Sequence, residues 1–172
     1  MVENYTRELL KKGKLYLFGD IDVDNSYVLM QHLDYCAQED IHPTIYICSD
    51  GGDVECAAAL VDKILEMEAS TYVLGKAYSA AAIILAAGYE RFAQKNACVM
   101  FHPCSYLSED DHVKHKAYVE FSENTNELLY RTICENCGMT TRQATAFIKK
   151  VNETVWMTAK EAKKQKIVTT IR

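Results

Sequence analysis

Proline and glycine are scarce in this chain. Two Pro and seven Gly in 172 residues leave no material for Pro-rich linkers, collagen-like repeats or long disordered tracts. Long apolar runs are also missing. The longest, Ala80 to Ala87, is far short of the ~20 residues a membrane span needs. The N-terminal stretch Met1–Arg7 has no apolar h-region, so no secretory signal is expected. Positive charge is not in excess. A formal net charge of −5 argues against a general nucleic-acid binder or an anionic-membrane binder, each of which needs a basic surface.

What is present fits one ordinary domain with its own core: 49% of residues are hydrophobic and 25% charged. The seven Cys form an odd set, so they cannot all pair within one chain, and a reducing cytoplasm is the expected location. One CxxC occurs, Cys134-Glu-Asn-Cys137. A zinc site would need a second such pair, and the sequence has none. A redox pair would need its first Cys at a helix N-terminus, whereas this one closes a helical pattern before Gly138. Packing residues are the expectation, with no metal and no bound cofactor.

Along the chain, strand and helix patterns alternate. Leu15–Phe18, Thr44–Cys48, Thr71–Leu74 and Cys98–Phe101 read as short buried strands. Helical spacing appears between them over Val28–Cys36, Ala57–Leu65 and Ser79–Ala87. This order predicts an α/β fold with right-handed βαβ crossovers and a largely parallel sheet. Residues 108–134 then give a long, mostly polar helical pattern that buries little against its own domain and either projects into solvent or packs against another subunit. Further helices are expected over Thr140–Val151 and after the capping box Thr158-Ala-Lys-Glu161, with a closing strand near Ile167–Ile171.

Three strand ends carry residues suited to chemistry. Ser49-Asp-Gly-Gly-Asp53 sits between a strand and a helix, where adjacent glycines let amides face an anion or oxyanion. Asp50 and Asp53 disfavour phosphate, and no Lys follows at P-loop spacing. Ser79 opens the Ala-rich helix, either as an N-cap or as a nucleophile with the Ala80 amide free to hold an oxyanion. His102 ends a strand before Pro103. In a parallel sheet these three strand ends share one edge, which points to nucleophilic catalysis.

Seven segments, in order, resemble the Clp protease proteolytic subunit family. They are Leu9-Leu-Lys-Lys, Ile45-Tyr-Ile-Cys-Ser-Asp-Gly-Gly52, Gly75-Lys-Ala-Tyr-Ser79, Leu85-Ala-Ala-Gly88, Val99-Met-Phe-His102, Asn126-Glu-Leu128 and Met157-Thr-Ala-Lys-Glu-Ala162. The resemblance runs from about Tyr5 to Ile171. It implies a crotonase-like βαβ spiral, with a head at about 1–105 and 140–172 and a protruding handle helix at about 108–134. It also implies a serine endopeptidase acting on peptides or unfolded proteins, with Ser79 as nucleophile, His102 as general base, and Gly52 and Ala80 as oxyanion donors. Assembly into rings stacked through the handles, and an unfoldase ATPase partner, come with it.

The chain departs from the family where the third triad member belongs. The family places Asp two residues before an aromatic, here Trp156, and that position holds Thr154. Glu153 ranks first as the acid, with the neutral Asn152 as another candidate and a solvated Glu153 as the alternative. Pro103 also removes a backbone donor from the strand that docks substrate in the family. Two rival readings stay open: a catalytically impaired ring or scaffold subunit, and an acyl-CoA enzyme of the crotonase fold.

Overall fold

The computed structural model describes residues 2–103, 124–125 and 127–172. After helix α1 (Val2–Lys11), β1 (Lys14–Ile21), α2 (Val23–Gln38), β2 (Thr44–Gly52), α3 (Val54–Glu66) and β3 (Ser70–Tyr78) alternate. Helix α4 (Ala80–Ala87), β4 (Arg91–Ala93) and β5 (Cys98–Phe101) follow. Residues 127–136 form helix α5. The chain closes with α6 (Thr141–Val151), β6 (Val155–Thr158), α7 (Ala159–Lys164) and β7 (Thr170–Ile171).

The seven-stranded sheet forks at β3. Along its main path the order is β1-β2-β3-β4-β7, with every pair parallel. The start of β3, Thr71–Val73, pairs with β4, while its end, Lys76–Tyr78, pairs with β5. Strand β6 then joins β5 antiparallel, with Phe101 opposite Val155. The fork carries two strand ends, Ser79 and His102, past the point where β4 stops. The α/β class and the largely parallel sheet of the crotonase-like arrangement are present.

Local sequence sets the helix starts. Asp22 and Asp53 cap α2 and α3 by accepting from Asn25 N and Cys56 N, each at 2.8 Å. Thr140 with Gln143, and Thr158 with Glu161, form two reciprocal capping boxes. The second of these is the box expected from the sequence.

Helix α4 occupies the middle of the core, and all eight of its residues are buried. A helix apolar on every face has no solvent side to turn outward. Burying Ile83, Ile84 and Leu85 contributes roughly 1.5–3 kcal/mol each. Its last carbonyls, which the helix cannot satisfy, are met by other elements. Thr71 Oγ1 donates to Leu85 O (2.7 Å), Asn136 Nδ2 to Ala86 O (2.9 Å) and the buried Arg91 Nη1 to Gly88 O (2.7 Å). The other sheet face, half-exposed, bears a ring ladder of Tyr16, Tyr46, Tyr72 and Phe92.

Residues 108–123 of the expected handle, and residue 126, lie outside the described residues. Its C-terminal portion lies in α5, where Tyr130, Ile133 and Cys134 are buried against the common core. Among the described residues no helix is long and apolar enough to cross a membrane.

Candidate active site

Ser79 stands between β3 and α4 with φ 54° and ψ −125°, a region that L-residues other than Gly rarely occupy. Such a backbone costs of order 1–3 kcal/mol and persists where surrounding structure enforces it. Three contacts do so. Ser79 N donates to Met100 O on β5 at 2.8 Å, and Ser79 O accepts from Ala82 N and Ile83 N in the first turn of α4. The third is Gly51: a Cβ there would come within 2.8 Å of Ser79 Cβ and of Tyr78 O. The strained turn lifts the hydroxyl off the helix end.

That hydroxyl makes no capping bond. Ser79 Oγ lies instead 2.8 Å from His102 Nε2. The N-cap reading of Ser79 is therefore set aside. His102 is brought there because β5 pairs with the end of β3, so one strand end faces the other. Its backbone is fixed from a distant element: Tyr130 Oη on α5 donates to His102 O at 2.7 Å. Phe101, the preceding residue, packs edge-on against Tyr130 and Phe147 at 6.1 and 5.2 Å between ring centroids.

The Gly-Gly turn borders the same corner. Gly51 has φ +108° and Gly52 φ +148°, both in glycine territory, and a Cβ on Gly52 would meet Ile21 O at 2.2 Å. Ser49, fully buried, accepts from Gly51 N at 3.0 Å and holds the turn from beneath. Ala80, first residue of α4, carries an amide that the helix itself cannot satisfy. The helix dipole adds positive potential at that end.

The two flanking Asp have structural work. Asp53 caps α3, and Asp50 pairs with Lys76 at 2.5 Å, holding the Lys76 ammonium above its ordinary range through that hydrogen bond.

The third member of the expected triad is not brought in. Helix α6 ends at Val151, and Thr154, at φ 63°, turns the chain into β6. The β5–β6 register ends with Phe101 opposite Val155, so the next residues in line are His102 and Thr154. Glu153 is exposed, and its amide donates to Lys150 O. Asn152 closes α6 as its C-cap. Among the described residues no carboxylate lies within hydrogen-bond or ion-pair reach of His102. Glu153 lies in the turn between α6 and β6, before the first paired residue, Val155.

Cys134 and Cys137 are both buried at the end of α5. Burial pushes their thiols up to about 12 and about 11, away from thiolate chemistry. Among the described residues no group of His, Cys, Asp and Glu converges as a metal-ligand set.

A strained Ser bonded to a strand-end His, beside a Gly-Gly turn, suits acyl transfer. Comparison with known proteins agrees: the family model described as Clp protease matches residues 1–172. The chain belongs to the Clp protease family. A protein named ATP-dependent Clp protease proteolytic subunit 1, from Rhodopirellula baltica, is 28% identical over 172 residues, covering 93% of this chain and 72% of its own length. The expected kinship with the Clp proteolytic subunits thus holds, at the distance of a divergent member. Three parts of this Clp protease site escaped the sequence: Gly51 against Ser79, Ser49 beneath the turn, and Tyr130 on His102. The adjacent glycines hinted at the first, but nothing local signalled the contact from residue 130.

Proposed function

We propose that the chain is a serine endopeptidase of the Clp proteolytic-subunit type, cleaving peptides by acyl transfer through Ser79 and His102. The observation that carries this reading is the 2.8 Å contact between His102 Nε2 and a Ser79 Oγ held on a strained turn. Ser79 Oγ attacks the scissile carbonyl carbon while His102 Nε2 accepts its proton. The carbonyl oxygen, now an oxyanion, is held by the amides of Ala80 and Gly52 at the positive end of α4. Collapse of the tetrahedral intermediate expels the amine, which takes the proton from His102. Water, deprotonated by the same ring, then releases the acyl group and restores Ser79. Substrates are unfolded or flexible peptides, subunits associate into rings, and an unfoldase ATPase is the delivery partner.

A second reading is favoured by one specific observation. With Thr154 in line with His102 and Glu153 in solvent, no carboxylate orients the imidazole among the described residues. Loss of that acid costs ~10⁴ in turnover in Ser-His-Asp enzymes, so a slow or structural subunit is the alternative. Hydrolysis of fluorogenic peptides by the purified oligomer, compared with Ser79→Ala, separates the two. Ser79-dependent turnover supports the peptidase; turnover equal in both proteins, or absent, supports the structural subunit.

A further inference from the structure

Helix α5 touches the candidate site from behind. Tyr130, Ile133 and Cys134 recur at helical spacing and are buried, so this side of α5 faces the core. The far end of the helix is tied down by Asn136, whose Nδ2 donates to Ala86 O at 2.9 Å and to Gly88 O at 3.1 Å. Nearer its start, the Tyr130 ring lies edge-on to Phe101, and its hydroxyl donates to His102 O at 2.7 Å. Tyr130 is only 4% exposed, which keeps it out of contact with a peptide at Ser79.

The carbonyl it holds has few other sources of a donor. Pro103 follows His102 and has no N–H, so His102 O is the one hydrogen-bonding atom of the peptide group between them. The sheet does not take it up. Ser79 N donates to Met100 O, and past that point β3 has given way to α4. On the other side, the pairing of β5 with β6 ends at Phe101 and Val155. Tyr130 is the donor that the described residues supply.

The Cα of His102 is thus held from both sides. Upstream, Phe101 is fixed by its pairing with Val155 and by the rings of Tyr130 and Phe147. Downstream, the Tyr130 bond fixes the rotation of the His102–Pro103 peptide. Together they set the direction of the His102 Cα–Cβ bond, and so where Nε2 falls. The Ser79 contact of 2.8 Å depends on that direction, since among the described residues no carboxylate steers the imidazole.

We infer that Tyr130 is a positioning residue for His102. Its hydroxyl supplies through the main chain the orientation that a carboxylate supplies through the ring in a complete triad. The inference rests on the proposed peptidase reading and deepens it. Misplacing reacting groups by about 1 Å can cost about 10²-fold in rate, so this bond has more leverage on turnover than on stability.

Tyr130→Phe removes the hydroxyl and keeps the ring. Thr71→Val is the control: it removes another hydroxyl-to-carbonyl bond, Thr71 Oγ1 to Leu85 O at 2.7 Å, near the far end of α4. Circular dichroism and urea midpoints report folding of each full-length variant. The rate of Ser79 labelling by a fluorophosphonate, and kcat and KM for a fluorogenic peptide, report function. Tyr130→Phe should lower the labelling rate and kcat by about tenfold or more, with KM within about twofold. Thr71→Val should lower the urea midpoint and leave all three within about twofold. A merely structural bond would move the midpoint of Tyr130→Phe and neither rate. Tyr130→Phe rates within about threefold of the unaltered chain, or an equal loss of rate in Thr71→Val, would overturn the inference and leave the peptidase reading intact. So would a raised KM with kcat unchanged, or a Tyr130→Phe chain that does not fold. An unaltered chain that gives no Ser79 adduct would overturn both.

Discussion

His102 Nε2 and Ser79 Oγ lie 2.8 Å apart although 23 residues separate them, because β3 and β5 pair in parallel and end side by side. The Ser79 backbone pays for this contact with a positive φ of 54°. Replacing Ser79 by Gly should therefore remove peptidase activity and raise stability, by about 1 kcal/mol, since Gly adopts this conformation without strain. Ser79→Ala should remove activity and leave the strain. Thermal or urea unfolding of the three proteins checks the order, with Ser79→Gly the most stable.

The Gly-Gly turn gives a graded series. Gly51→Ala puts a methyl 2.8 Å from Ser79 Cβ at φ +108°, and Gly52→Ala puts one 2.2 Å from Ile21 O at φ +148°. Both should destabilise the chain by several kcal/mol or prevent folding, the outcome of strain with overpacking. Gly19→Ala, at φ +83° with open space around it, should cost about 1 kcal/mol and spare activity. Urea midpoints and peptide turnover read all three.

Arg91 is buried and donates to Gly88 O, Ile167 O and Lys166 O, joining the end of α4 to the loop before β7. Arg91→Met should destabilise by about 3 kcal/mol or more, because several buried carbonyls lose their donors together. Arg91→Lys should recover less than half of the loss, since an ammonium cannot span the same carbonyls. Denaturant unfolding measures both.

Much of this architecture was legible from residue pattern. The capping box at Thr158, the buried Ala-rich helix and the convergence of Gly52, Ser79 and His102 at one sheet edge follow from periodicity and strand order. What escaped has physical reasons. Helix α1 has no counterpart among the helical patterns of the sequence, where Leu9-Leu-Lys-Lys counts only as a segment shared with the family. The Tyr130 bond to His102 O joins residues 28 positions apart, and no local rule signals it. Glu153 sits in the turn between α6 and β6, outside the β5–β6 pairing, so no strand period in the sequence places its carboxylate.

Thr154 is next in line with His102 past the β5–β6 pairing, and its φ of 63° is unfavourable for a β-branched residue. Asp tolerates that conformation better and adds a carboxylate. Thr154→Asp should raise peptide turnover by about tenfold or more, whereas Glu153→Gln should change it by less than about twofold. Equal loss from both substitutions would return the acid role to Glu153.

Cys134 and Cys137 stay protonated in the folded chain to about 12 and about 11, against an ordinary 9.0. Above about pH 9 the folded chain therefore holds more protons than the unfolded one, so its stability falls as pH rises through the folded values. Urea midpoints should decline between about pH 9 and about pH 12, and both thiols should resist iodoacetamide until the chain unfolds. Labelling at Cys134 or Cys137 of the folded chain at neutral pH would contradict this.

Covalent capture of Ser79 tests the central claim most directly. Incubation of the folded oligomer with a fluorophosphonate, followed by peptide mass spectrometry, should place one adduct on Ser79. Ser79→Ala should show none, and a chain lacking the His102 imidazole should react far more slowly. A folded oligomer that gives no Ser79 adduct across the neutral and mildly alkaline range would contradict the assignment of this chain as a working serine peptidase.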